Sequence, residues 1–113
     1  MRFGLKEDTI EKIRTVFSRF TQVKKAVLYG SRARGNYKNG SDIDLTLYGG
    51  NDLTLDVMYR IINELDDQHL PYTIDLSIVK QITDPDVLDH IQRVGIMFYD
   101  MENLCGTSVK QDR

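Results

Sequence analysis

Val27-Leu-Tyr-Gly-Ser-Arg-Ala-Arg-Gly-Asn-Tyr-Lys-Asn-Gly-Ser-Asp-Ile-Asp-Leu-Thr-Leu47 is the stretch whose reading decides the fold. An apolar run from Ala26 to Tyr29 stops at Gly30-Ser31, and a polar, glycine-punctuated loop follows. That loop delivers Ser41-Asp42-Ile43-Asp44 into a second run in which Ile43, Leu45 and Leu47 alternate with polar residues. On a strand, residues two apart share a face. Asp42 and Asp44 therefore stand side by side while Ile43 and Leu45 face a core. Like charges that close repel unless a cation lies between them. Oxygen ligands suit a divalent ion such as Mg²⁺.

Working outward, Ile10, Ile13, Val16, Phe17 and Phe20 recur at helical steps and predict a helix at about 7–21. A first strand is expected at about 26–29, after Lys24-Lys25. Gly30 permits a sharp turn, Ser31 caps a short helical turn, and Gly35 ends it. The second strand is expected at about 42–48 and closes at Gly49-Gly50. Asn51 or Asp52 then caps a helix at about 52–67 with the stripe Leu55, Met58, Ile61, Ile62 and Leu65. In a third strand at about 72–79, Tyr72, Ile74, Leu76 and Ile78 alternate with Thr73, Asp75 and Ser77. Asp84-Pro85 opens a last helix that Gly95 ends, and 96–99 makes a final short strand. These elements predict one α+β (two-layer α/β) domain over 1–100: a small mixed sheet of about four strands, helices backing one face and the polar face open. Residues 101–113 read as a flexible tail.

With 113 residues there is room for one core, and 41% hydrophobic with 28% charged residues is an ordinary globular balance. The formal net charge of -2 argues against gripping a long nucleic acid, which takes a basic excess. The single cysteine, Cys105, excludes an internal disulfide and any multi-cysteine metal site, and it agrees with a reducing compartment. No leader or membrane-length apolar run is seen, so a soluble, cytoplasmic protein without membrane contact is expected.

Asp75 adds the third carboxylate. Its neighbours Ile74 and Leu76 are apolar, so it lies on the polar face, and pairing of the second and third strands would bring it to Asp42 and Asp44. Three carboxylates beside a Gly-Ser turn suit two-metal phosphoryl chemistry, with ions roughly 3.5–4 Å apart. Amides after Gly30 and the Ser31 hydroxyl can cradle phosphate. Arg32, Arg34 and Lys38 are candidates to neutralise phosphate charge; the two arginines are equally read as solvated or paired side chains, and Lys38 more readily so.

Gly30-Ser31, ten residues, then Asp42-Ile43-Asp44 is similar to the signature of the DNA polymerase β-like nucleotidyltransferase superfamily. The fuller string, with Arg32-Ala33-Arg34-Gly35 and Ser41 to Leu45, resembles its minimal nucleotidyltransferase (MNT) branch. The resemblance spans about 25–79, with Ile74-Asp75-Leu76 matching the later carboxylate strand. It implies the polymerase β-like fold and transfer of a nucleoside monophosphate, AMP from ATP, to an acceptor hydroxyl, with two Mg²⁺ ions. Asp42, Asp44 and Asp75 would be the catalytic metal ligands, Asp75 also helping to deprotonate the acceptor. Gly30 and Ser31 would hold the terminal phosphates. MNT proteins of this size resemble antitoxins that neutralise an α-helical HEPN ribonuclease toxin by adding AMP to one of its tyrosines, so a HEPN partner in a hetero-oligomer is implied. The larger relatives' base and acceptor domains have no room here.

Two rival readings remain: a binding module that neutralises by contact with little turnover, and a transferase acting on a small hydroxyl compound such as an antibiotic. An isolated Asp-x-Asp would be a solvated turn, and Asp75 alone an exposed strand residue. Tyr37 reads as a surface residue that can also stack on a base. His69 and His90 read as a loop and a helix-surface residue, and Cys105 as incidental.

Overall fold

The apolar steps of the first helical segment wind into α1 (Glu7–Ser18), whose Ile10, Ile13, Val16 and Phe17 are all fully buried. Burying each such side chain contributes roughly 1.5–3 kcal/mol. The structure is a computed structural model that describes residues 2–103. Along the chain follow β1 (Val23–Tyr29), α2 (Gly30–Arg34), β2 (Ile43–Gly49), α3 (Leu55–Asp66), β3 (Ile74–Ile78), α4 (Pro85–Val94) and β4 (Ile96–Asp100), with 3-10 turns at Val79–Gln81 and Met101–Asn103. No described helix is long and apolar enough to cross a membrane.

The four strands form one mixed sheet in the order β3-β2-β1-β4. β1 runs antiparallel to β2 and β4, while β2 and β3 are parallel. Parallel neighbours need a crossover, and α3 supplies it. Ala26, Leu28, Ile43, Leu45, Leu47, Leu76 and Ile78 leave the sheet on one side and join α1 and α3 in the main core, as the alternation predicts.

The opposite face is not left wholly open, which corrects the sequence expectation. Val27 and Tyr29 alternate with Ala26 and Leu28 and so point away from the main core. There they meet α4: Tyr29 packs edge-on against His90, and a Cβ on Gly95 would lie 2.7 Å from Val27 Cγ1. Ile91 of α4 is buried outside the main cluster. An amphipathic helix does not declare which side of a sheet it covers.

Several boundaries shift for local reasons. β1 starts at Val23, because Val23 pairs with Gly49 and the lysine pair is carried along the strand through a bulge. Lys25 lies over the Tyr48 ring at 4.9 Å. α3 is capped by Thr54, whose hydroxyl accepts from Val57 N at 3.3 Å, rather than by Asn51 or Asp52. Buried Leu53 sits in the turn before it. Asp84 caps α4 as predicted, accepting from Asp86 N at 2.9 Å. The expected tail opens with the Met101–Asn103 turn, and Met101 packs on the core. Residues 104–113, Cys105 among them, lie outside the described residues.

Candidate active site

β1 delivers the chain to Gly30, where the backbone takes φ 76 and enters the five-residue α2. Gly35 closes that turn in the left-handed region at φ 88, its N–H donating to Ser31 O at 2.9 Å. Ser31 is not the cap that the sequence suggests. Tyr29 holds the cap position, and no side chain caps the helix. The Gly30 amide instead donates to His90 Nε2 at 3.1 Å, which requires His90 to present an unprotonated nitrogen. Ser31, the next residue, is partly buried at the start of α2.

Register then aligns the charged residues. Across β1–β2, Tyr29 stands opposite Asp44, and across β2–β3, Asp44 stands opposite Asp75. The glycine turn, Asp44 and Asp75 thus lie in one row across the sheet. Gly30 sits so close to Asp44 that an added Cβ would overlap its carboxylate. Asp42 precedes β2 by one residue, exposed, on the face of Asp44 by the period of two. Ile43 and Leu45, between and after them, are fully buried on the other side.

Asp44 holds its proton more tightly than an ordinary aspartate. Burial is the first cause, and the neighbouring charges of Asp75 and Asp42 add to it. Below the carboxylates, Ser77 Oγ donates to the fully buried Thr46 Oγ1 at 2.9 Å. Ser77 also hydrogen-bonds Tyr29, whose phenol is raised mainly by burial. Thr46 and Ser77 follow Asp44 and Asp75 by two residues, so this hydroxyl pair lies next to the carboxylates on the same face of the sheet.

The donor set fits a divalent metal in kind. Its atoms are hard oxygens, and none of Asp42, Asp44 and Asp75 makes a hydrogen bond or ion pair to a side chain among the described residues. It is not a preformed cage: no three His, Cys, Asp or Glu side chains among the described residues are arranged to hold one ion. Two clefts, of about 320 Å³ between α1 and β4 and about 230 Å³ beside the end of α3, contain none of these carboxylates. In the carboxylate row Asp42 and Asp75 are exposed and Asp44 is partly buried.

Arg32 departs from its candidate role. It is buried, 3% exposed, with Nε and Nη2 on Ser41 O at 3.2 and 2.9 Å and Nη1 on Phe3 O at 2.8 Å. Its guanidinium carbon lies 5.3 Å from the Tyr37 ring centre and 5.2 Å from that of Tyr72. A side chain so enclosed does not present itself to a bound phosphate. Tyr37 is an exposed surface residue, as expected, and its ring also meets the Arg32 guanidinium. Arg34 and Lys38 are exposed, with side chains in no hydrogen bond or ion pair among the described residues. His69 is exposed, as a loop residue should be. His90 is the residue the sequence reading placed wrongly, as plain helix surface. Its signal was present: Val87 and Val94 flank it at three and four residues, which puts it on the packed stripe of α4.

A family model described as polymerase beta, nucleotidyltransferase, matches residues 11–103. No curated protein matches the sequence. Among solved structures, the fold is similar to a chain in a crystal structure of a toxin–antitoxin with AMP-PNP, at TM-score 0.63 and 18% identity, covering 96% of this chain and 77% of that one. It is similar also to a chain in a complex of tri-AMPylated Shewanella oneidensis HEPN toxin with MNT antitoxin, at TM-score 0.62 and 13% identity, covering 89% and 77%. At such identities the likeness is one of fold.

Proposed function

The chain belongs to the polymerase beta nucleotidyltransferase family, and from that premise we propose that it moves AMP from ATP onto a hydroxyl of a partner protein, a HEPN-type toxin neutralised by the modification. One observation carries the reading: Asp44 stands in register between the Gly30 turn and Asp75, so the glycine turn and two carboxylates lie in one row across the sheet. The fold-level neighbours that contain AMP-PNP and an AMPylated toxin support the choice of base and of acceptor.

In this reading the Ser31 hydroxyl and the amides after Gly30 hold the terminal phosphates, with Arg34 at the rim. Asp42, Asp44 and Asp75 hold Mg²⁺, which supplies charge neutralisation at the reacting phosphate when bound. The acceptor oxygen attacks the α-phosphorus, its new O–P bond forms, and the bond to the β-phosphate oxygen breaks to release pyrophosphate. Asp75, exposed at the row's outer end, takes the proton from the acceptor hydroxyl. Asp42 and Asp75 are exposed, which leaves the acceptor's surroundings to the partner, so activity is expected on a docked protein. Such an enzyme works in the cytoplasm, where its nucleotide is supplied.

The test is incubation of the purified protein and its genomic-neighbour protein with Mg²⁺ and each labelled nucleoside triphosphate, followed by mass spectrometry. Added AMP on the neighbour, lost in Asp42→Ala/Asp44→Ala, is the expected result. A stable complex without transfer would move the assignment to neutralisation by contact. Transfer to small hydroxyl compounds without a partner would move it to a small-molecule acceptor.

A further inference from the structure

We infer that Arg32 is a positioning residue for Asp42: its buried guanidinium fixes the peptide from which the Asp42 side chain departs. The inference rests on Asp42 acting as a metal ligand, as proposed above. The Ser41 carbonyl and the Asp42 nitrogen share one planar peptide. Two guanidinium donors converge on that carbonyl, at 3.2 and 2.9 Å, so they set the plane and with it the start of Asp42. Ser41 is pinned from its other side too. Its Oγ accepts from Lys38 N at 2.8 Å, and its N–H donates to Lys38 O at 2.9 Å.

The remaining contacts of Arg32 tie this peptide to the rest of the molecule. Nη1 reaches Phe3 O at 2.8 Å, in a turn where Phe3 has φ 59 and Gly4 φ 74. A Cβ on Gly4 would lie 2.8 Å from Arg32 Nη1 and would overlap Tyr37. Tyr72, whose ring centre lies 5.2 Å from the same guanidinium, leads into Thr73, whose carbonyl accepts from Ile43 N at 2.9 Å, and then to Asp75. Arg32 therefore joins the approach to Asp42 with the approach to Asp75. No described carboxylate pairs with it; a buried charge is tolerated here because carbonyl dipoles and ring faces replace water.

Only a planar fork serves this role. Lysine keeps the charge and still binds phosphate, but its point charge cannot bridge two carbonyls as the planar fork does. Arg32→Lys therefore separates positioning from phosphate binding. Mn²⁺ binding would be followed by electron paramagnetic resonance, and ATP binding by calorimetry in EDTA, with folding checked by circular dichroism. The expected result is Mn²⁺ binding weakened about 10-fold, the lower end for loss of a group that orients a ligand, with ATP binding in EDTA unchanged. Gly4→Ala, which disturbs the same guanidinium from outside the site, should weaken Mn²⁺ in the same sense and carries the test if Arg32→Lys does not fold. Wild-type Mn²⁺ affinity in the folded variants, or loss of ATP binding in EDTA, would overturn the inference. Wild-type protein that binds no Mn²⁺ would overturn the metal-dependent reading and this inference with it.

Discussion

Gly30→Ala is the substitution whose cost the structure divides into parts, because Gly35→Ala supplies the control. Both glycines have positive φ, 76 and 88, but a Cβ on Gly35 meets nothing within 4 Å, whereas one on Gly30 would overlap the Asp44 carboxylate. The left-handed backbone costs an L-residue about 1–2 kcal/mol. Stiffening of the unfolded chain offsets about 0.4–1 kcal/mol of that, leaving about 1 kcal/mol for Gly35→Ala. Gly30→Ala carries the same backbone cost and must also turn Asp44 out of its rotamer, which adds about 1 kcal/mol. The gap between the two variants should then be about 5 °C in melting temperature, since 1 kcal/mol moves a domain of this size by that order. Thermal unfolding of both variants, alone and combined with Asp44→Ala, makes a double-mutant cycle. Asp44→Ala should erase the extra cost of Gly30→Ala and leave Gly35→Ala untouched. Equal melting points for the two glycine variants, or no coupling to Asp44, would refute the claim that the turn is built against that carboxylate.

Three further outcomes follow from the same face. The raised Asp44 carboxyl means that the folded state binds this proton more tightly than the unfolded chain does. Its contribution is therefore most favourable below the unfolded value and is lost as pH rises through the folded one. Asp44→Asn should gain melting temperature relative to wild type as pH goes from the carboxylate range to neutrality, and should transfer no nucleotide; a variant that is less stable at neutral pH would count against the repulsion. Ser77→Ala removes the donor to buried Thr46 and should cost about 1 kcal/mol in urea unfolding, with Thr46→Val adding less than its separate cost. His90→Ala should speed hydrogen exchange at the Gly30 amide, measured by nuclear magnetic resonance, because that amide loses its acceptor; unchanged exchange would mean that something else protects it.

What could be read from the sequence was whatever is local in the chain. Period-two alternation placed Asp44 and Asp75 on the face opposite Leu45 and Leu76, and the parallel β2–β3 register sets the two carboxylates opposite one another. The positive φ at Gly30 and Gly35 was legible because only glycine takes that conformation without strain. Arg32 and His90 were misplaced for one shared reason. Each is identified by what reaches it from far along the chain: Phe3, Ser41 and Tyr72 around Arg32, and Gly30 and Tyr29 against His90. A cation in a Gly-Ser-Arg-Ala-Arg string looks the same whether it faces phosphate or carbonyls; burial separates the two, and burial is a tertiary property. The two arginines of that string differ accordingly in exposure, Arg34 exposed at the surface and Arg32 buried against the backbone that carries Asp42. On that division, lysine should replace Arg34 with little loss and should fail at Arg32, because a point charge suffices at the rim while the interior contact needs a planar fork.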